Sequence, residues 1–171
     1  MPSDYVKDLV DHKQRVAYYM QAVANDLFRR AAVHDNSKLS PEEFEAYDEA
    51  FPNFKKYAFG TEEMQAVYDS IRPALQHHFQ ANDHHVEHFE HGIDDMSLVQ
   101  LIEMLCDWLA ASERSQVDFS TGLEMNRKRF HIDDQLFGIL KSTVIQIAPH
   151  KANTLYPDVL TATSTIAEKG R

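Results

Sequence analysis

Residues 98–114 read LVQLIEMLCDWLAASER, and this stretch decides the fold. It holds no Gly or Pro and is apolar on nearly every side, so it is expected to form a helix buried at the centre of the molecule, with Ser97 as its cap and Cys106 inside. Two carboxylates interrupt it. Glu103 and Asp107 are four residues apart and share one face with Gln100, Met104 and Ala111. Ionised carboxylates buried without partners cost several kcal/mol. They therefore require either an arginine, with Arg114, Arg127 and Arg129 the candidates, or a metal ion within the fold.

Working outward, the same helical period recurs. Between Asp4 and Asn25 the residues Val6, Leu9, Val10, Val16, Met20 and Val23 form a stripe at three- and four-residue spacing. Asn25-Asp26 predicts a break, followed by a short helical piece, LFRRAAV, that ends at His34-Asp35. Ser40-Pro41-Glu42-Glu43 carries the signals of a helix start, and that helix is expected to run to about Tyr57. Another opens at Gly60-Thr61, with Pro73 as a kink, and leads into His78. Residues 80–95 read as an ordered loop dense in His, Asn and Asp. Helical stretches around 122–130 and 134–148 follow, and beyond Pro149 the pattern weakens. No alternating strand pattern of useful length occurs. The expectation is an all-α protein: a single compact helical domain over residues 1–150, with a loosely docked tail over 151–171.

Composition narrows the function. A chain of 171 residues fits one domain, and its 43% hydrophobic content supplies a real core. Five Gly and six Pro are too few for a turn-rich all-β fold. The formal charge of −10 repels polyanions, so long nucleic acid is excluded as the default partner. No apolar run approaches the ~20 residues of a membrane span, and the polar N-terminus MPSDYVKD lacks a signal-peptide core. With one cysteine and no intrachain disulfide, a cytoplasmic protein is expected. There is no Gly-rich phosphate loop and no nucleophile elbow.

Histidine is the anomaly. Six of the ten, His77, His78, His84, His85, His88 and His91, fall in one short stretch. His78 continues the inward stripe, whereas His77 points about 100° away on the helix. Asn82-Asp83 can turn His84 and His85 back towards His78, while His88 and His91 read as surface. A solvated histidine-rich loop is the alternative. His34 and Asp35, being adjacent, can reach one ion only where the helix ends and the backbone bends; otherwise His34 caps a helix dipole. His12 lies on the edge of the apolar stripe, as a core-edge histidine or as a ligand. In one straight helix it would stand about 33 Å from His34, so a shared ion requires the turn at Asn25-Asp26.

The order His12, His34-Asp35 and a distant Asp107 in an all-helical chain resembles the HD-domain metal-dependent phosphohydrolases. HDNSKLSPEEF, HHFQANDHHVEH and EMLCDWLAA are similar to motifs of small HD-like proteins of bacteriophages and bacteria. The resemblance spans roughly Asp11 to Ala111. It implies that His12, His34, Asp35 and Asp107 hold a divalent metal ion, and that extra histidines can hold a second, making one or two ions, with His78 and His85 the candidates and His77 and His84 behind them. The ion is one of Mn, Fe, Co, Ni, Zn or Mg. Lys38 stands where such enzymes have a phosphate-binding lysine, and the candidate proton acceptor is Glu103 or a metal-bound carboxylate such as Asp35. The implied activity is hydrolysis of a small phosphorylated metabolite, such as a nucleotide, by metal-activated water. The implied setting is the cytoplasm, that of the host for a phage-encoded protein, with a homo-oligomer as a possible assembly. A di-iron oxygenase on the same scaffold and a metal-stabilised binding module are the competing readings.

Overall fold

The computed structural model describes residues 3–114, 117–151 and 155. These form helices joined by turns, with no strand among the described residues, so the protein is all-α. Helix α1 spans Asp4–Val33, α2 Phe44–Lys56, α3 Glu62–Ser70, α4 Arg72–Ala81, α5 Leu98–Arg114, α6 Phe119–Arg129 and α7 Asp134–Ile147. Short 3-10 turns occupy Asn36–Leu39, Val86–His88, Gly92–Asp95 and Pro149–Lys151. Of the tail expected over 151–171, residues 152–154 and 156–171 lie outside the described residues, while Leu155 packs into the core formed by α5, α6 and α7.

Helix α5 is central, and each of its faces has a separate task. Leu105 and Leu109 enter a cluster with Phe119, Leu123, Ile132, Phe137, Leu140 and Val144 of the C-terminal helices and their connection. Leu101 and Met104 join Val86 and Met96 in a second cluster under the histidine loop. Glu103 and Asp107 face the end of α1. Cys106, expected inside, is exposed, because the helix has one outward strip and Cys106 and Ala110 lie on it. A third cluster, Ala50, Met64, Val67 and Ile71, holds α2 against α3.

Local signals explain most of the boundaries. The Thr61 hydroxyl accepts from Met64 N at 3.2 Å, and Asp133 caps α7 by accepting from Leu136 N at 2.7 Å. Pro73 does more than kink its helix: α3 stops at Ser70, and α4 restarts with the proline in its first turn. Ser40 carbonyl accepts from Phe44 N at 2.9 Å, and regular helix begins at Phe44 rather than at Pro41.

The predicted break at Asn25-Asp26 is absent. α1 is one helix of 30 residues, because both side chains are satisfied along it instead of capping a new start. Gln21 donates to Asn25 at 2.9 Å, and Asp26 accepts from Arg29 at 2.6 Å and from Arg30 at 3.2 Å. The stripe expected to be buried is therefore exposed: α1 has no buried residue, and every position from Ser3 to Val23 faces solvent.

Two leucines on α5 test this assignment of its faces. Leu105→Ala removes a side chain that is 1% exposed and should lower unfolding stability by about 2–5 kcal/mol, whereas Leu98→Ala, at 74% exposure, should change it by less than about 0.5 kcal/mol, both read by urea denaturation.

Candidate metal centre

The site begins where α1 ends. His34 is the C-cap, and Asp35 takes the left-handed conformation with φ 58°, a region that Asp tolerates better than most residues. That turn lets two adjacent side chains converge, which a continuing helix forbids. Asp35 Oδ1 lies 3.3 Å from His78 Nε2 and 3.4 Å from His84 Nε2. Its Oδ2 is 3.8 Å from His34 Nε2 and 2.5 Å from Lys38 Nζ. His34 Nε2 is also 3.6 Å from Asp107 Oδ1, and His85 Nε2 stands 2.9 Å from His78 Nε2. Four segments thus deliver donors to one place: the end of α1, the last turns of α4, the loop after it and the middle of α5.

Each inward ring is held from behind. An ionised carboxylate only accepts, so the His34 Nδ1–H donates to Glu103 Oε1 at 2.9 Å and the His78 Nδ1–H donates to Glu43 Oε2 at 2.9 Å. His84 Nδ1 lies 3.4 Å from the same Glu103 oxygen. In all three rings the Nε2 edge is left facing Asp35, the arrangement by which carboxylates fix the tautomer and direction of metal-ligating histidines. Glu43 is itself 0% exposed and also accepts from His77 Nδ1 at 2.8 Å. Glu103 is anchored by Arg30, whose guanidinium donates to it at 2.9 Å and to both oxygens of Asp83 at 2.7 and 3.0 Å.

The electrostatics are those of a cation site. Asp35, Glu43, Asp83, Glu103 and Asp107 gather against Arg30 and Lys38, five carboxylates against two fixed cations. Burial disfavours ionisation of Asp35, but His78, His84 and Lys38 outweigh it and hold that carboxyl far below its usual range. The Asp107 contact raises His34 to about 9 against its partial burial, so a proton on His34 stands among the acids. Burial, with His84 and His78 alongside, lowers His85 to about 3 and keeps it neutral.

Two overlapping donor sets that share Asp35 could hold metal ions, and a third group, His34, His84 and Glu103, also brings its ligand atoms within 4.8 Å of one another. Asp35, His78, His84 and His85 form one, and His34, Asp35 and Asp107 the other; within each, the ligand atoms lie within 4.8 Å of one another. Asp35 belongs to both, with one oxygen directed at each. The residues fit such an ion, because Asp35 Oδ1 and His84 Nε2 are buried without any hydrogen-bond partner. Beside them a cleft of about 310 Å³ opens, lined by Arg29, Asn36, Ser37 and Asn82 with His34 and His84.

Measured against the sequence, His34, Asp35, His78, His84, His85 and Asp107 converge, with Lys38 adjacent. His12 does not: it is exposed on α1, about 33 Å from His34 by helical rise, since the turn it required never forms. His77 bonds Glu43 and lies outside both donor sets, and His84, ranked behind His85, is as central as His78. Glu103 is engaged with His34 and Arg30 as an orienting group, and its arginine partner is none of the three expected. His88 and His91 are exposed as anticipated. Sequence reasoning missed Glu43 and Arg30. Glu43 was hidden as an ordinary helix-start acid, and Arg30 sat inside a segment read only for its apolar content.

Comparison with known proteins adds one assignment. The profile of DUF5662, a family of unknown function, matches residues 1–148. The chain belongs to the DUF5662 family. No curated protein and no solved structure matched. The match takes in α1 to α7, so every residue of the candidate metal centre lies within the DUF5662 region.

Two measurements probe the centre. Glu43→Gln removes the charge behind His78 and should weaken Zn2+ binding by about 10–100-fold in a competition titration, while exposed Glu90→Gln should leave it unchanged. Ligation through His34 Nε2 requires loss of a proton held up to about pH 9, so apparent Zn2+ affinity should climb by up to about tenfold per pH unit from 7 to 9 and then level off. A flat profile would remove His34 from the ligands.

Proposed function

We propose that this cluster is the active centre of an HD-type metal-dependent phosphohydrolase acting in the cytoplasm on a small phosphorylated metabolite, such as a nucleotide. The observation that carries the reading is the meeting of the adjacent His34-Asp35 pair with Asp107, 72 residues after Asp35, around an orphaned carboxylate oxygen. These are three of the four residues that the HD resemblance calls for. The fourth, His12, is replaced in effect by His78, His84 and His85, which gather on the same aspartate.

A divalent cation bound here lowers the pKa of its water towards ~7 and polarises a phosphoryl oxygen. His34, Asp35 and Asp107 would hold one ion, and His78, His84 and His85 a second, with Asp35 common to both. The remaining work falls to the protein. Lys38 is an ammonium bonded to a ligand carboxylate; it cannot itself be a ligand, and with its side chain 37% exposed it keeps N–H groups with which to meet phosphate oxygens. Arg30 has no such freedom, being locked by Asp83 and Glu103. The amide and hydroxyl groups of Asn36, Ser37 and Asn82 offer hydrogen bonds to a sugar or base in the cleft. His85, half-buried, stays neutral and therefore available as a nitrogen ligand at neutral pH.

The test is a panel of nucleotides and phosphomonoesters assayed with Mn, Fe, Co, Ni, Zn and Mg. Metal-dependent phosphate release is expected. Asp35→Ala should lose metal and turnover together, whereas Lys38→Ala should keep its metal and lose about 10–1000-fold in kcat/KM. Full hydrolytic activity in Lys38→Ala would overturn the phosphate-binding role. Bound iron with a visible absorbance band and oxygen consumption, without phosphate release, would favour the oxygenase reading instead.

A further inference from the structure

The exposed part of α1 is unlike any other surface of the molecule. From Ser3 to Val23 no side chain is covered, yet Val6, Leu9, Val10, Val16, Met20 and Val23 are apolar. Val6, Leu9, Lys13, Val16, Met20, Val23 and Leu27 recur at alternating three- and four-residue steps, a strict seven-residue repeat with one lysine in the seam. Asp4, Lys7, Asp8, Asp11, Gln14, Arg15 and Gln21 all fall on the opposite side. A seam of period 3.5 follows another helix rather than a globular core. Among the described residues nothing covers it: α1 packs on α5 through its last turns, where Leu27 and Arg30 become partly buried.

We infer that the arm formed by residues 3–23 of α1 is a dimerisation element that pairs antiparallel with the same arm of a second copy of this chain. Two observations select that occupant. The uncovered seam is about 30 Å long, and among the described residues no other helix offers an apolar stripe of matching length, since the next longest, α5, spends its apolar residues on the core. The arm is neutral, with Asp4, Asp8 and Asp11 balanced by Lys7, Lys13 and Arg15, so the formal charge of −10 lies entirely on the rest of the chain. A neutral arm selects neither an acidic nor a basic partner and lacks the Lys/Arg excess of a helix that lies on a lipid surface.

Orientation follows from the same two features. An antiparallel pair places Val6 against Val23, Leu9 against Met20 and Lys13 against Val16, using the whole uncovered seam once. It also sets the two acidic bodies at opposite ends, roughly 37 Å apart along the axis, beyond the ~8 Å Debye length of physiological salt. A parallel pair would bring the bodies side by side and stack Lys13 on Lys13. This inference is independent of the catalytic reading.

Sedimentation velocity on the full chain at about 50 µM should give twice the 19.7 kDa chain mass. The double variant Val16→Asp/Met20→Asp, both side chains being exposed in the monomer, should sediment as a monomer with unchanged helical circular dichroism and Zn2+ binding. A monomeric wild-type chain would overturn the proposal, and so would a dimer that survives the double variant. Spin labels at Lys7→Cys in a Cys106→Ser background should report an axial offset of about 22 Å or more, because position 7 then aligns with position 22 of the other copy. A label separation near 10 Å would mean parallel arms and overturn the antiparallel register.

Discussion

Two oxygens of one aspartate face three imidazole nitrogens and an ammonium, and the arrangement of the site depends on keeping that aspartate there. Asp35 reaches this position only because α1 stops at Val33 and the next two residues leave the helix, the second in a left-handed conformation. A helix that ran one turn further would carry His34 and Asp35 to different sides. The 3-10 turn Asn36–Leu39 then reverses the chain, and Lys38 returns to the carboxylate it has just left.

Behind this first ring of contacts stands a second layer whose role is orientation. Glu43 and Glu103 each take the Nδ1 side of two rings or nearly so, which leaves the Nε2 side of His34, His78 and His84 facing inward. Such a network is costly to leave half-made, since removal of one member strands a buried charge. Ser37 and Asn82 tighten it further: Asn82 donates to Ser37 Oγ at 2.7 Å and to the carbonyl of His78 at 2.7 Å, tying the loop before His84 to α4. Positions scattered from α1 to α5 are thereby joined in one hydrogen-bonded network.

Much of this was legible in the chain. Helical periodicity, the opening at Gly60-Thr61 and the cap at Ser97 located most of the helices, the inward stripe set His78 apart from His77, and His88 and His91 were read as surface. What failed did so for a physical reason. Asn25-Asp26 has the composition of a cap, but i,i+3 and i,i+4 partners in Gln21, Arg29 and Arg30 satisfied it within the helix, and tertiary context is not encoded in a local pattern. That one misreading carried His12 into the ligand set. An amphipathic stripe says that a face is to be covered; it does not say by what, and α1 has its stripe without a covering surface among the described residues. Glu43 was unreadable for a related reason, because its partners lie 34 and 35 residues away.

The single attachment of α1 also sets an order of assembly. The Arg30–Glu103 pair joins residues 73 apart in sequence, whereas α5, α6 and α7 close their core through short connections. Loop-closure entropy makes the distant pair the later event. The C-terminal helices can therefore form a folded platform before His34 and Asp35 arrive. In the reverse direction, α1 can swing away through loss of a few polar contacts at its last turns without opening any buried apolar cluster. The half of the site on α5 outlives the half on α1, and the centre exists only while the long helix is docked.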